Sequence, residues 1–280
     1  MIDLLTRFPY LVNVRQLLVL LLLIVCAAQS FAQAKKVLVG GYEWPPYVIL
    51  HDNKTSGLTL DLIDLLNKRQ DKYIFEFVLT SPTRRFQDIT DGRYHVILFE
   101  SKSWGWNPTQ IEATKVFLSG SEVFVTSKEN GKTQAYFDEL KGKRIKGIHG
   151  YHYGFLGLST APKAAREYNL ELTSTQDGNI QAVLNKRADI AVVPKEYLPL
   201  YFKNNPGSEK KLLISKKIDQ VYQLGALLNP VKSPISASEL SKLIEPLFKD
   251  GTWDKMLKER GLPPTTFLQE ARPNNNSKLI

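Results

Sequence analysis

The stretch Val37-Leu-Val-Gly-Gly-Tyr-Glu-Trp-Pro-Pro-Tyr47 decides how the rest of this chain is interpreted. The apolar run 37–39 predicts a buried strand, and the two glycines that follow let the backbone turn sharply. The two prolines lack an N–H, so the strand cannot continue through them. The aromatic residues Tyr42, Trp44 and Tyr47 therefore lie on a stiff loop at the carboxyl end of the strand. Ligands bind at that edge in open α/β sheets; the alternative is an apolar plug over the first helix.

The first 34 residues are predicted to be a secretory signal peptide that is removed. They contain a positively charged start, an unbroken apolar run at 17–28 that is too short to span a bilayer, and a small-x-small cleavage site at 32–34. The mature chain would then begin at Lys35 in the periplasm. The alternatives are an uncleaved membrane anchor and a lipidated Cys26, which the valine before it disfavours.

The composition is typical of an exported globular chain without disulfides. The single cysteine of the 280 residues lies in the signal peptide, so the mature chain has no disulfide and no thiol chemistry. The remaining 246 residues can bury about three-quarters of their unfolded surface, which suits two modest lobes or one domain. The formal net charge is +9, but the lysines are spread along the chain. Nucleic-acid binding is therefore not expected.

Strand-like and helix-like segments alternate after the aromatic loop. Apolar residues at helical spacing predict a helix over 58–67, and β-branched and aromatic residues predict strands over 73–79 and 94–99. The other predicted strands lie at 122–126, within 140–148, and at 170–173, 189–193, 211–215 and 222–228; the other helices lie at 83–90, 161–168, 179–185, from 236 onwards and at 252–260. This alternation predicts the α/β class, with mainly parallel sheets that carry helices on both faces.

Capping signals accompany two of these helices. Asn179 is placed to cap the helix over 179–185, and Ser236-Ala-Ser-Glu239 has the pattern of a capping box. Pro246 predicts a kink in the helix that follows the box. Between the two halves, Thr126 and the polar interval 127–134 form a candidate crossing between lobes.

The order of several motifs resembles the family 3 extracellular solute-binding proteins, the periplasmic receptors of amino-acid-type ABC importers. The motifs are Tyr42-Glu-Trp-Pro-Pro-Tyr47 followed by 56–62, Arg84 eight residues before Gly92, Leu140-Lys-Gly-Lys-Arg144 leading to Gly150-Tyr-His-Tyr153, Lys186-Arg-Ala-Asp189, and Phe248-Lys-Asp-Gly-Thr252. Each motif is loose by itself, and the order over the full length is what makes the resemblance specific.

The resemblance implies a type II periplasmic-binding-protein-like fold, in which two α/β lobes are joined by two strands and close on a ligand. Lobe 1 would comprise 35–125 plus 226–270, and lobe 2 would comprise 126–225. The residues 271–280 would form a disordered tail, because they are polar and rich in asparagine.

The chain departs from the amino-acid binders of that family at one informative place. Those proteins typically carry Thr-x-x-Arg before Phe-Ser-x-Pro-Tyr, and the arginine grips the α-carboxylate of the ligand. The matching range 106–117 contains no arginine, which argues against an ordinary free α-amino acid, because a buried carboxylate needs a charged partner. Arg84 is the candidate anion-binding residue here, with Arg85 as its solvated neighbour. The alternative is that both arginines lie on a solvated face.

The candidate ligand-binding residues follow three predicted strands. On lobe 1 they are Tyr42, Trp44, Tyr47, Arg84, Glu100, Trp104 and Trp106, and on lobe 2 they are Gly150, Tyr151 and Tyr153. Aromatic rings there can stack on a planar, sugar-like or cationic group, and Glu100 can pair with an amine. His149 and His152 lack carboxylate or cysteine partners at metal-ligand spacing. No metal, no cofactor and no catalytic residue is expected, and Asp189 is interpreted as structural.

The predicted function is capture of a small polar, amino-acid-like or anionic solute by hinge closure, for an ABC importer. The expected partners are the small-molecule ligand and a transporter permease or membrane receptor, and a monomer is expected. One alternative is a detached ligand-sensing domain. The other is a dehydratase-like enzyme on the same fold that uses Glu100 with His152, but the common nucleophile, phosphate-loop and metalloprotease motifs are absent from the sequence.

Overall fold

The computed structural model describes residues 33–52, 54–129, 131–160, 162–260 and 262. Residues 1–32 of the predicted signal peptide and the predicted tail 271–280 lie outside the described residues. Within the described part, none of the helices is both long enough and apolar enough to cross a membrane.

Eleven strands are present in the described residues, and they follow the predicted alternation. They are β1 Lys35–Gly41, β2 Ile49–His51, β3 Lys54–Ser56, β4 Tyr73–Leu79, β5 Val96–Glu100, β6 Glu112–Ala113, β7 Leu118–Ser127, β8 Ile145–Ile148, β9 Leu170–Thr173, β10 Ile190–Pro194 and β11 Leu212–Leu228. The sequence predicted two separate strands at 211–215 and 222–228, but β11 is one long strand with register shifts between Ile214 and Gln220. The short hairpin of β2 and β3 was not predicted.

Seven α-helices lie between and after these strands in the described ranges. They are α1 Leu58–Arg69, α2 Arg85–Asp91, α3 Pro162–Glu167, α4 Gln176–Leu184, α5 Leu198–Asn204, α6 Ala237–Lys249 and α7 Thr252–Glu259. The sequence missed only α5, a seven-residue helix with a proline in its first turn.

The strands form two parallel groups that an antiparallel pair joins. The strand order is β4-β1-β5-β11-β7-β10-β8-β9, and β6 also pairs with β11. β1 is parallel to β4 and β5, and β8 is parallel to β9 and β10. β7 and β11 are antiparallel to each other, and each is antiparallel to the group beside it. The predicted α/β class is confirmed.

The apolar core divides along the same line. Leu118 of β7 and Tyr222 of β11 belong to the core around β1 and β5, whereas Val123 of β7 and Leu212 of β11 belong to a core around β10. The chain therefore passes from one core to the other between Leu118 and Val123, which is before Thr126, where the sequence placed the crossing. The lobe limits at 125/126 and 225/226 stay a prediction.

The opening loop is held against the first helix by backbone contacts. The N–H groups of Leu58 and Thr59 donate to the carbonyls of Pro46 and Tyr47 at 3.1 and 2.9 Å. Gly57 lies between them with φ 117°, and a Cβ there would lie 2.5 Å from the Tyr47 carbonyl oxygen. Glycine is therefore required at this position, because any side chain would push the loop off the helix.

Of the two predicted helix caps, one is correct and one is wrong. Ser236 accepts a hydrogen bond from the N–H of Glu239 at 3.2 Å, as a capping residue does. Thr175 caps α4 by accepting from the N–H of Gly178, so Asn179 is not the cap. Asn179 is fully buried and instead bonds the carbonyl of Gly147, since it lies inside the first turn of a helix that begins earlier than the pattern indicated.

Candidate functional site

Three loops meet at the carboxyl ends of parallel strands. β1 ends at Gly41 and continues into the loop over 42–47, and β5 ends at Glu100 and continues into the loop over 101–106. On the other side of the antiparallel pair, β8 ends at Ile148 and continues into 149–153. The carboxyl ends of such strands are where α/β sheets bind ligands, and the structure brings all three loops to one cleft.

A small cavity lies where these loops meet the two crossing strands. Its lining comprises Tyr42, Trp44, Arg85, Trp104, Glu122, Tyr151, His152 and Gln220. Its volume is about 10 Å³, about what the centre of one water molecule requires. The cleft is therefore closed on its own side chains, and a ligand larger than water enters only if the two sides separate.

Arg85 is the charged centre of the closed cleft. Its guanidinium and the Glu100 carboxylate are both 1% exposed, and Arg85 Nε donates to Glu100 Oε1 at 3.1 Å. Glu100 also accepts from the Tyr42 hydroxyl at 3.1 Å and from the Trp106 indole N–H at 3.0 Å. Burial alone would lower the pKa of Arg85, but the charge and hydrogen bond of Glu100 together with Tyr42 and Tyr94 offset burial and raise it, so Arg85 stays protonated.

The assignment of the two arginines is the reverse of the one expected from the sequence. Arg84 has 69% of its side chain exposed and lies 3.6 Å from Asp88 in an i,i+4 pair, so it does not face the cleft. α2 begins at Arg85, and one turn of helix directs neighbouring residues to different sides. Arg85 therefore lies in the cleft and Arg84 lies in solvent.

Direct contacts bridge the two sides of the cleft. Arg85 Nη1 donates to the Gly150 carbonyl at 3.2 Å, and the Tyr151 hydroxyl donates to the Glu43 carbonyl at 2.9 Å. Gly150 has φ +77°, and a Cβ on it would lie 2.9 Å from the carbonyl carbon of Pro82. Glycine at 150 thus permits the close approach of the lobes, and its carbonyl contributes a hydrogen-bond acceptor.

The other predicted site residues divide between the cavity and the core. Tyr42, Trp44, Trp104 and Tyr151 line the cavity. Tyr47 packs against Phe99 at 4.8 Å, and the Tyr153 hydroxyl accepts from the Ile148 N–H at 2.6 Å, so both are buried behind it. Glu100 and Trp106 lie outside the cavity lining. Glu100 accepts hydrogen bonds from Arg85 and from the Trp106 indole. Whether any of these residues contacts a ligand stays a prediction.

Four residues of the lining were not among the predicted site residues: Arg85, Glu122, His152 and Gln220. Glu122 precedes the apolar run 123–125 of β7, and a carboxylate at the head of such a run is the only signal that the sequence offered. Gln220 lies within β11 in a polar segment without any motif. Both reach the cavity because the crossing strands pass beneath it, which only the tertiary fold determines.

Glu122 is buried at the crossing point without a positive partner. It is 3% exposed, and its Oε2 accepts from Gln220 Nε2 at 2.8 Å. Burial raises the pKa of Glu122 well above its ordinary value; the Gln220 hydrogen bond opposes this, and the charges of Asp219 and Glu196 add to it. Within the described residues, no lysine or arginine forms an ion pair with Glu122.

His152 stays neutral at physiological pH. Burial, and secondly the nearby charge of Arg85, lower its pKa to about 4. Arg85 Nη2 lies 3.4 Å from His152 Nδ1, so the guanidinium lies between this ring and Glu100. That position argues against the acid–base pair of Glu100 and His152. Over the described ranges, no group of three or more histidine, cysteine, aspartate or glutamate side chains is arranged to hold a metal ion.

Comparison with known proteins identifies the fold. No family model and no curated protein matches the chain. A histidine kinase sensor domain with similarity to periplasmic binding proteins superimposes with a TM-score of 0.64 at 18% identity, over 83% of this chain and 99% of that one. A putative L-cystine ABC transporter protein from Listeria monocytogenes gives 0.65 at 14% identity, over 81% and 96%. An ancestral arginine-binding protein bound to arginine gives 0.61 at 19%, over 81% and 98%.

The chain has the two-lobe periplasmic-binding-protein-like fold, and the resemblance drawn from the motifs is confirmed at the level of the fold. The similar structures are described as a sensor domain, an arginine-binding protein and an ABC transporter. At this identity they establish architecture and leave the ligand open.

Proposed function

We propose that this chain is an exported solute-binding protein, which captures a small molecule between its lobes and releases it when the lobes separate. The observation that carries the proposal is the closed cleft, in which residues of both sides line one cavity beside the two crossing strands. A ligand that contacts both sides stabilises the closed form over the open one, because only the closed form offers both sets of contacts.

The contacts described across the cleft combine aromatic packing with hydrogen bonds: the Tyr42 and Tyr151 ring centroids lie 6.2 Å apart, and those of Phe86 and His152 lie 6.4 Å apart. Arg85 to Gly150 and Tyr151 to Glu43 are the two side-chain-to-carbonyl bonds described across it. Each such bond contributes about 1 kcal/mol net, which is small enough for a reversible opening. β7 and β11 run through both sides as a pair, with register shifts between Ile214 and Gln220, and an irregular ladder of this kind can bend. They are the proposed hinge.

We further propose that the mature chain lies in the periplasm as a monomer and delivers its ligand to the permease of an ABC importer. Two of the similar proteins carry binding or transport in their descriptions. The second candidate is a sensing role, which the likeness to a kinase sensor domain favours. In either role the ligand is bound and released unchanged, so no catalytic residue is proposed.

The test is a thermal-shift screen of the mature chain against a library of small solutes, followed by small-angle scattering with each stabilising compound. A true ligand at 100 times its dissociation constant adds about 2.7 kcal/mol of stability and decreases the radius of gyration if the free protein is partly open. Recovery of the compound unchanged supports binding, whereas its conversion supports an enzyme. A protein that no solute stabilises contradicts the proposal.

The membrane protein that responds to the ligand-loaded chain distinguishes transport from sensing. The ligand-loaded chain is passed over membranes that contain candidate importers and, separately, candidate receptors. Stimulated ATP hydrolysis supports transport, and stimulated receptor signalling supports sensing. The Arg84→Ala variant should stimulate the same partner as the wild type, because Arg84 is exposed and lies outside the cleft.

A further inference from the structure

The charges in the cleft determine which kind of solute it suits. Arg85 is the only cation among the residues that line the cavity. Its guanidinium is already paired with Glu100 and bonded to the carbonyls of Pro82 and Gly150. It therefore has little capacity for an anionic ligand, because an incoming anion would have to displace a buried carboxylate that three side chains hold.

Glu122 is the opposite case, a buried carboxyl group that has no cationic partner among the described residues. The two charged groups that act on its pKa are Asp219 and Glu196, both acidic. Asp219 is occupied by the N–H groups of Gly154 and Phe155, and Glu196 by the Ser121 N–H and the Tyr222 hydroxyl. A buried ionised carboxylate needs a cation or several donors, and Glu122 has one described donor, the neutral amide of Gln220.

Aromatic rings surround the same cavity. Tyr42, Trp44, Trp104 and Tyr151 form its wall, and the Trp44 and Trp104 rings lie 5.2 Å apart at an interplanar angle of 80°. The faces of such rings carry negative electrostatic potential and attract organic cations. The Trp44 indole N–H is buried without a hydrogen-bond partner among the described residues, so this wall also offers an unused donor.

The Gln220 side chain shows that a planar N–H donor fits beside the Glu122 carboxyl group. Its amide N–H₂ donates to Glu122 and to the His152 carbonyl, and its oxygen accepts from the Trp104 indole at 3.3 Å. Gln220 thus occupies the space between the carboxylate and the aromatic wall with a planar donor group. An ammonium or guanidinium group carries more donors and the missing positive charge.

We infer that the cleft takes an organic cation bearing N–H donors, an alkylammonium or a guanidinium, with Glu122 as its counter-charge and the aromatic wall against its apolar stem. The inference rests on the proposed solute-binding function and narrows it to one ligand class. It replaces the anionic ligand that the sequence indicated for Arg84. Opening of the lobes lets the cation displace the Gln220 amide, and closure then buries the ion pair.

Binding of this kind is linked to a proton. The titratable groups facing Glu122 are Asp219 and Tyr222 on β11, Glu196 on the turn before α5, and Tyr151 and Tyr153 after β8. None is cationic, and His152 in the same cavity is neutral above its pKa of about 4. A cation favours the ionised form of Glu122, and burial raises the pKa of that carboxyl in the free protein, so cation binding should release protons to the solution.

The experiment uses the mature chain and matched probes: n-butylammonium and n-butylguanidinium as cations, n-butanol as the neutral analogue and n-butyrate as the anion. Titration calorimetry at millimolar probe concentrations measures each affinity. Repetition in phosphate and in PIPES, neither of which carries a primary ammonium group that would compete with the probes, measures the proton released. The expected result is that at least one cation binds about tenfold or more tightly than butanol and butyrate, with proton release.

Substitutions then locate the counter-charge. Glu122→Gln keeps the shape and should weaken cation binding about tenfold or more while abolishing proton release. Glu122→Asp keeps the charge and should retain part of the affinity. Glu129→Gln makes the same charge change at a distant surface position and should leave affinity unaltered. Thermal unfolding of each variant confirms that it is folded.

The outcomes separate the two proposals. Preferential binding of butanol, butyrate or a neutral or anionic library solute, or cation binding that Glu122→Gln does not weaken, overturns the cation inference and leaves solute binding standing. A library solute that is itself a cation and loses affinity in Glu122→Gln supports it. If no probe and no library solute binds, both proposals fail together.

Discussion

Replacement of Arg85 by methionine should destabilise the protein in a pH-dependent way. Methionine retains much of the apolar stem and removes the charge, which leaves the Glu100 carboxylate, 1% exposed, without its cation. Loss of one partner of a buried pair typically costs about 3–5 kcal/mol. The variant can avoid part of that cost by protonating Glu100. From an ordinary pKa of 4.5 for a glutamate carboxyl, protonation of Glu100 costs about 3.4 kcal/mol at pH 7, at about 1.36 kcal/mol per pH unit.

The sign of the pH dependence follows from that route. In the variant the folded pKa of Glu100 lies far above its unfolded value, so stability is lost as pH rises from 4.5 towards neutrality. The loss relative to the wild type should be at most about 3 kcal/mol at pH 7 and shrink by up to about 2.7 kcal/mol at pH 5. It falls short of these limits because burial already raises the pKa of Glu100 in the wild type, despite the charge of Arg85. The Tyr42 and Trp106 donors remain and moderate both values.

The assay is urea denaturation at both pH values, with the free energy of unfolding obtained by linear extrapolation. Arg84→Met is the control, because it makes the same chemical change at a side chain that is 69% exposed; it should cost about 0.5 kcal/mol or less. The reasoning is refuted if Arg85→Met costs no more than Arg84→Met, or if its cost does not decrease as the pH falls.

Three further predictions concern closure, the hinge carboxylate and a helix cap. Tyr151→Phe removes the bond to the Glu43 carbonyl and should favour the open form by about 1 kcal/mol, seen as faster amide exchange at the cleft; Tyr153→Phe should leave that exchange unchanged, because its bond is internal to one lobe. Glu122→Gln should remove a loss of stability that sets in as pH rises above 4.5, because the folded pKa of Glu122 is raised; equal pH profiles for variant and wild type would contradict this. Ser236→Ala should lower the free energy of unfolding by about 1 kcal/mol, and a denaturation midpoint equal to that of the wild type would show that the cap contributes nothing.

The sequence predicted most of the elements and their alternation, because local patterns decide them. The apolar spacing of α1 and the β-branched run of β4 are visible without any partner. It missed the start of α4, since Thr175 and Asn179 are both capping residue types and only the helix geometry chooses between them. The sequence also divided β11, because the polar segment between 215 and 222 contains the register shifts of β11 against β7 and still belongs to one strand.

The structure places the aromatic loops at the strand ends where the sequence predicted them. The sequence did not distinguish the aromatic residues that line the cavity from those that pack in the core. Tyr42 and Tyr47 lie on the same short loop, yet one lines the cavity and the other packs against Phe99. The difference arises from the turn at Trp44, where the backbone N–H groups of Tyr47 and Val48 return to the Trp44 carbonyl. No sequence pattern states which side of such a turn faces the cleft.

By itself the sequence determined the α/β class and the edge of the sheet where the predicted site residues lie, because strand periodicity and proline are local properties of the chain. Only the tertiary structure decided which charge faces the cleft. The sequence alone does not distinguish Arg84 from Arg85. In the structure, the start of α2 directs Arg84 to solvent and buries Arg85 beside Glu100. Glu122 reaches the cavity because β7 crosses beneath it. Long-range packing sets both placements, and with them the sign of the charge that the cleft can hold.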